Sequence, residues 1–325
     1  MITFGPVPSR RLGRSLGINH IPPKVCTYSC VYCQVGRTVR LRTRRCAFLE
    51  PEQVARAVAS RVEASRQQGK AIDYLTFVPD GEPTLDRNLA AMITQLRPLG
   101  IPIAVLTNGS LLDRPEVRDA LYRADLVSLK VDAVTEDTWR RVNRPHGRLR
   151  LPAILDGVRE FAARHAGRVV TETMLVAGVN DAEPELRATA SFLADLRAGM
   201  AYVAVPTRPP AEAWVRPAQE AAIVRAYEIF RALEGPVELL IGYEGDSFTV
   251  TGDPVADLLA IAAVHPLRET AVRRLLSRAG VGWEMTGKLL RERRLVDVSY
   301  GGSRYFLRPA ELPRSPRVRT SAGHR

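Results

Sequence analysis

DYLTFVP (73–79), IPIAVLTN (101–108) and DLVSLKVD (125–132) decide how this chain is built. Each run is short, rich in β-branched and aliphatic residues, and apolar along most of its length. Such runs suit strands buried on both faces, and the segments between them are long enough for a helix. VVTETMLV (169–176), AYVAVPT (201–207) and VELLIGY (237–243) continue the series, and SLGINHIP (15–22) precedes it. Between the strands the period changes. Ile223, Ala226, Tyr227, Phe230 and Leu233 share one helical face, as do Leu186, Ala190, Leu193 and Leu196. A further helix is expected after Leu49, where Glu50-Pro51-Glu52 places proline and acids in a first turn. Strand–helix alternation of this kind implies a parallel sheet covered by helices, with about six or seven βα units. A doubly wound sheet, a full barrel and a partial barrel all satisfy the periodicity.

After Gly252-Asp253-Pro254 the pattern changes again. VADLLAIAAVH, LRETAVRRLLSRAG and WEMTGKLLRERR read as three helices. LVDVSY and SRYFLR then face each other across Gly301-Gly302 as a hairpin. Three helices closed by a hairpin describe a winged helix. The expected division is a core of residues 1–250, a small winged-helix domain of 254–308 and a basic, disordered tail of 309–325.

The 325 residues are 46% hydrophobic and 25% charged, which excludes a disordered chain. No apolar run reaches the ~18 residues of a membrane span, and MITFGPVPSRR lacks the apolar core of a secretion signal. A cytoplasmic protein with no membrane association is expected. The net charge of +12 is unevenly placed. Residues 1–45 hold nine basic and no acidic side chains, and 266–325 hold fourteen basic and five acidic, so the body between them is net negative. Basic ends on an acidic body point to anion or polyanion contact.

Three of the four cysteines fall within eight positions: Cys26, Cys30 and Cys33, spaced C-x3-C-x2-C. A secreted disulfide framework would spread its cysteines, so the cluster reads as metal binding. Three thiolates on a four-iron cluster leave one iron open to another ligand. A zinc site with Cys46 as fourth ligand is the competing reading, although zinc sites usually use two close pairs.

With Tyr32 just before its last cysteine, this motif resembles that of the radical S-adenosylmethionine (SAM) superfamily. DGEPTL (80–85) resembles the superfamily's Gly-Gly-Glu-Pro segment, with Asp80 where glycine is usual. VLTNGSLL (105–112), SLKVDA (128–133) with RRVNRPH (140–146), and TETMLVAGVND (171–181) resemble its third, fourth and fifth strand regions. FGPVPSRRLGRSLGIN (4–19) resembles stand-alone members related to the wyosine synthetases of tRNA modification.

The resemblance implies an α/β fold, a partial (βα)6 TIM-like barrel of the radical SAM type. It implies a [4Fe–4S] cluster on Cys26, Cys30 and Cys33, and S-adenosylmethionine chelated to the open iron. Tyr32, Gly81, Glu82, Pro83, Thr107, Asn108, Ser128, Asp132 and Glu172 are the implied SAM-side contacts. The implied activity is reductive cleavage of SAM to a 5′-deoxyadenosyl radical that abstracts hydrogen. An external electron donor such as a flavodoxin or ferredoxin is implied with it.

Several of these residues also have readings of their own. Gly81 permits close backbone approach, and Glu82 can accept from an ammonium. Ser128, Lys130 and Asp132 alternate along one strand face, and Asp132 is within reach as a partner for Lys130. Arg10, Arg11 and Arg14 either enter the cleft to hold an anion or pair with the acidic body. The scattered His20, His146, His165 and His265 carry no assigned chemistry. Trp283–Arg294 is the recognition-helix candidate. Lys288, Arg291, Arg293, Arg294 and Arg304 make a basic surface for nucleic acid or a docked protein. An RNA or nucleotide-derived substrate is the leading expectation. The rivals are a radical SAM activase or peptide modifier, and an Fe–S-sensing DNA-binding regulator.

Overall fold

The computed structural model of the protein describes residues 2–232, 236–242 and 253–309. Leu233, Tyr243 and the tail beyond Pro309, all part of the sequence reading, lie outside the described residues. The chain opens with a hairpin, β1 (Thr3–Ser9) and β2 (Gly13–Ile18). Two short strands, β3 (Val25–Cys26) and β4 (Arg40–Leu41), bracket the cysteine loop. The alternation then follows as α1 (Pro51–Gln67), β5 (Tyr74–Phe77), α2 (Leu89–Leu96), β6 (Ile103–Thr107) and α3 (Pro115–Leu121). It continues through β7 (Leu126–Lys130), α4 (Glu136–Asn143), α5 (Leu151–Arg164), β8 (Arg168–Met174), α6 (Glu183–Ala194), β9 (Met200–Ala204), α7 (Glu220–Arg231) and β10 (Val237–Leu240).

These strands form one eight-stranded sheet in the order β1-β2-β5-β6-β7-β8-β9-β10. Only the β1–β2 pair is antiparallel, and β2 to β10 run parallel. Residues facing outward, such as Leu75, Phe77, Val105, Val127 and Leu129, pack under the helices in the main core. Residues facing inward form a separate cluster of Ala104, Leu126, Val170, Tyr202, Ala204 and Leu240. Leu12, from the β1–β2 turn, joins that inner cluster beside Leu240, and Arg10 donates to the Leu239 carbonyl at 3.3 Å. The two sheet edges therefore approach each other, and the sheet curls into a partial barrel with a closed apolar floor.

Each expected strand is present. The antiparallel β1 is the addition, and its GPVP sequence, with prolines at alternate positions, hides it from a search for alternation. Proline in the first turn starts α1, α3, α5, α6 and α8 (Pro254–Val264), where a missing N–H costs nothing. No helix of the described residues is long and apolar enough to cross a membrane.

Beyond α8 lie β11 (Leu267–Arg268), α9 (Glu269–Arg278), α10 (Glu284–Arg291), β12 (Val296–Tyr300) and β13 (Ser303–Leu307). The strands form a three-stranded sheet in the order β11-β13-β12. Asp253 caps α8 by accepting from the Val255 and Ala256 amides. Gly301 and Gly302 turn the hairpin with φ of +54° and +70°. Leu258, Ile261, Val272, Leu275, Leu289 and Phe306 make a third core, to which β1 contributes Phe4 and Val7.

A polar clamp crosses the same junction. Arg61 of α1 donates to the Gly5 carbonyl at 2.9 and 2.5 Å and pairs with Asp257 of α8 at 3.0 Å. The Asp257 side chain is 3% exposed, so removing Arg61 takes a positive charge away from a buried carboxylate. Arg61→Ala is expected to lower the unfolding free energy by about 3 kcal/mol, measured by urea denaturation.

Candidate functional site

The cysteine loop is pinned on both sides by backbone. The Lys24 amide donates to the Asp80 carbonyl (3.0 Å) and the Glu82 amide to the Val25 carbonyl (3.1 Å). On the other side the Arg42 amide donates to the Cys26 carbonyl (3.0 Å), and the His146 amide to the Thr27 carbonyl (2.9 Å). Gly81 makes the contact between Glu82 and Val25 possible. A Cβ there would sit 2.1 Å from the Val25 carbonyl oxygen. The close approach that Gly81 permits in this structure is thus to backbone leading into Cys26.

Glu82 is 1% exposed and sits at the head of a short 3-10 turn, Pro83–Leu85. Its Oε1 accepts from the Thr84 amide (3.0 Å), the Thr84 hydroxyl (2.6 Å) and the Thr107 hydroxyl (2.6 Å). Its Oε2 accepts from the Asn108 amide at 2.9 Å. Burial pushes the carboxyl upward, and these donors pull it back. Pro83 opens the turn, and its carbonyl faces His20 Nε2 at 3.3 Å. Burial drives His20 down to about 4, so its ring is neutral and Nε2 donates.

All four cysteines are free. Each of the first three has one nitrogen donor directed at its sulfur: Asn108 Nδ2 to Cys26 (3.6 Å), Asn143 Nδ2 to Cys30 (3.4 Å) and Lys24 Nζ to Cys33 (3.7 Å). Lys24 is 3% exposed and is anchored by the Gly36 carbonyl at 2.6 Å. Burial raises the Cys26 thiol well above its usual range and the Cys30 thiol to about 12. Thiols so placed need a compensating positive charge to become thiolates. Three partly buried sulfurs on one loop, each met by a donor, form a set that fits a thiolate-ligated cluster. Among the described residues no three His, Cys, Asp or Glu side chains converge as a single ion would require. Cys46 is tied instead to the strand end beyond Glu82, its amide on the Leu85 carbonyl and its carbonyl on the Arg87 amide.

The other expected positions gather at the C-terminal ends of the inner strands. Thr107 bridges Glu82 and the Gly109 amide. Asn108 also donates to the Thr27 hydroxyl at 2.8 Å. Ser128 lies buried on β7, two residues before Lys130. Lys130 pairs with Glu172 of β8 at 2.6 Å, and Arg11 pairs with the other oxygen of that carboxylate. Lys130 thus takes Glu172 as its hydrogen-bond partner, and Asp132 acts on it through charge alone. Its carboxylate takes the Tyr32 hydroxyl, Asn143 Nδ2 (2.7 Å) and the Met174 amide (2.8 Å). The Tyr32 ring lies under Lys130 Nζ, 4.9 Å from its centroid. The inner face thus holds two cations, Lys130 and Arg11, on the carboxylate of Glu172, with the Asp132 carboxylate next along the same face. Of the three N-terminal arginines, only Arg11 enters this layer. Arg14 pairs with Asp73 outside it, and Arg10 spans the sheet edges.

Sequence reasoning missed Lys24, Asn143 and Asn180. Asn180 donates to the carbonyls of Asp132 and Met174, both at 2.8 Å, and fixes the β7 and β8 ends together. A signal existed for Asn143, which lies inside the quoted RRVNRPH; nothing local marks Lys24. The β9–α7 loop also reaches the cysteines. The Glu212 amide donates to the Val31 carbonyl (3.1 Å), and its carboxylate holds Arg37 (2.7 Å) and Arg144 (2.5 Å).

The C-terminal unit touches the loop as well. Arg208 joins Gln34 Oε1 and His265 Nε2, both at 2.9 Å, and Gln34 donates to the Val264 carbonyl. The Tyr300 and Tyr305 hydroxyls donate to the Pro206 and Thr207 carbonyls, each at 2.9 Å. A cavity of about 440 Å³ lies between this unit, the β1–β2 hairpin and the loop, lined in part by Asn19, His20, Lys24, Asp80 and Arg308.

A curled parallel sheet with a three-cysteine loop beyond the first parallel strand defines a class. The model of the radical SAM superfamily matches residues 21–190, and the chain belongs to that superfamily of enzymes. It is 42% identical over 309 residues to a UPF0026 protein of Methanocaldococcus jannaschii, covering 94% of this chain and 96% of that one. Among solved structures, a radical SAM methyltransferase from Sphaerobacter thermophilus aligns with a TM-score of 0.51 and 18% identity, over 70% of this chain and 66% of that chain. The structure of TYW1 with a lysine–pyruvate adduct bound aligns with a TM-score of 0.50 and 17% identity, over 67% and 72%. At those identities the likeness is one of fold. The superfamily implies SAM and a [4Fe–4S] cluster as cofactors.

Gly81→Ala is expected to cost about 2–3 kcal/mol, because backbone rather than a flexible side chain must yield. Urea unfolding of the purified variant measures it.

Proposed function

We propose that the protein is a radical SAM enzyme whose Cys26, Cys30 and Cys33 hold a [4Fe–4S] cluster. The observation that carries this reading is the set of three donors, Asn108, Asn143 and Lys24, one to each sulfur. When bound, cluster and SAM together supply one-electron cleavage of SAM and a carbon radical able to remove hydrogen from a substrate.

The chain's own residues supply placement and charge. Glu82 Oε2 carries one chain donor, which leaves acceptor capacity for the ammonium group of SAM. Gly81 and Pro83 hold that carboxylate at the strand end. Thr107 and Asn108 transmit its position to Cys26. Tyr32, Asp132 and Asn143 lock Cys30 against β7 and α4. Ser128, Lys130, Asp132, Glu172 and Arg11 form the polar lining of the lumen. Lys24 places a cation beside Cys33 and favours the reduced, more negative state of the cluster. The apolar floor of Ala104, Leu126 and Tyr202 keeps water from entering below.

We read the C-terminal unit, 254–308, as a winged helix docked on the core formed by residues 1–250. The substrate we infer is RNA or nucleotide-derived, on the strength of the basic segments at both ends of the chain. The electron donor is an external protein of the flavodoxin or ferredoxin kind, and the compartment is the cytoplasm.

Anaerobic reconstitution should give about four iron per chain and, with SAM and dithionite, 5′-deoxyadenosine. A protein that binds zinc alone, or a Cys30→Ala variant with undiminished 5′-deoxyadenosine, would overturn the assignment. Asn143→Leu is expected to retain the cluster about tenfold less well under chelator challenge, followed by visible absorbance. Lys24→Met should shift the midpoint potential downward by about 60 mV, a tenfold change for one electron, read by electron paramagnetic resonance during redox titration.

A further inference from the structure

The arginines around the cysteine loop reach the surface, and most do so without acids to meet them. Arg40 and Arg44 are exposed on and after β4, and Arg148 and Arg150 are exposed after α4. The two segments border the same stretch of loop, through the Arg42 amide on Cys26 and the His146 amide on Thr27. Among the described residues, no acidic side chain pairs with Arg40, Arg44, Arg148 or Arg150. Arg37 and Arg144 share the single carboxylate of Glu212. Two residues further along that loop, Trp214 is 49% exposed, and beside Arg40 stand Val39 at 47% and Leu41 at 40%.

The face of α10 and its hairpin carries cations as well. There Lys288 and Arg294 meet Glu292 at 3.9 and 3.5 Å, and Arg304 meets Asp297 at 2.8 Å and Glu269 at 3.6 Å. Lys288 and Arg294 thus share the single carboxylate of Glu292, and among the described residues no acidic side chain pairs with the exposed Arg291 or Arg293. The rim cations are the ones on segments bonded to the cysteine loop, next to the proposed chemistry.

We propose that the rim formed by Arg40, Arg44, Arg148 and Trp214 is the docking surface for single-stranded or looped RNA. Unpaired guanidinium groups suit phosphates, and an exposed indole suits an unstacked base. The surface is built of loops and a two-residue strand, with no helix to enter a duplex groove, so unpaired RNA fits it better than a double helix. A strand held on this rim presents its bases beside the cysteine loop. The inference deepens the RNA reading above and depends on it.

Fluorescence anisotropy with a labelled 20-nucleotide single-stranded RNA tests it on the full chain, at low salt and near physiological salt. Arg40→Glu/Arg44→Glu/Arg148→Glu should weaken binding by more than about thirtyfold. It should also flatten the slope of log K against log salt by about two. Trp214→Ala should weaken binding about tenfold. Lys288→Glu/Arg291→Glu should weaken it less than the rim variant does. Circular dichroism and iron content verify that each variant is folded, and Trp214→Ala removes no charge, so it stands on its own if the triple variant unfolds.

Weakening by the α10 variant with an unaffected rim would overturn the proposal. So would an unaffected Trp214→Ala together with equal capture of polyglutamate, the result expected of an acidic-protein surface. Wild-type protein that fails to bind the RNA at low salt overturns both the rim and the RNA substrate. Formation of 5′-deoxyadenosine in that same preparation would leave the radical SAM assignment intact.

Discussion

The buried carboxylate of Glu82 governs where the cysteines stand. It accepts from Thr84, Thr107 and the Asn108 amide, and so joins the ends of β5 and β6. A charge 1% exposed is expensive in a protein interior unless donors surround it. Here they do, and the arrangement is rigid because every donor is itself placed by a strand end or a tight turn. Asn108 then turns its side chain to Cys26 and Thr27. One carboxylate therefore sets the spacing between two strands and the first sulfur.

A second carboxylate does the same on the opposite side. Asp132 follows β7 and gathers Tyr32, Asn143 and the Met174 amide. The loop hangs between these two acids, with its outer edge stitched to the chain at Arg42 and His146. The sulfurs in this frame are directed by N–H donors rather than by each other. Such donors also lower the cost of negative charge on sulfur, so the frame that positions the cysteines makes them better ligands.

Much of this was legible in the sequence because it is local. Strand ends announce themselves by where an apolar run stops, and Glu82 sits beyond such a stop, while Cys26, Cys30 and Cys33 announce themselves by their spacing. Pairings between distant segments were less legible. Lys130 alternates with Asp132 on one strand, which made the two a natural pair. The register of β7 on β8 places Lys130 directly opposite Glu172, and that cross-strand neighbour is the one it takes. Lys24 gave no signal, because a lysine after two prolines reads as a surface turn. Its burial follows from the Gly36 carbonyl, which the cysteine loop brings back to it only once folded.

Charge shows the same limit in a different form. A count along the chain finds two basic ends, and nothing in the count separates a cation that is paired from one that is not. The fold makes that separation. Arg11 goes inward to Glu172, Arg14 outward to Asp73, and the cations of the last hairpin meet acids within their own unit. Arg40, Arg44 and Arg148 are left facing solvent beside the loop. An exposed, unpaired guanidinium gains little from its own fold, since surface electrostatics are weak and screened. Several of them on segments bonded to one loop, with an exposed indole on the β9–α7 loop and two aliphatic side chains beside Arg40, gain most from a ligand that brings both phosphate and an aromatic face.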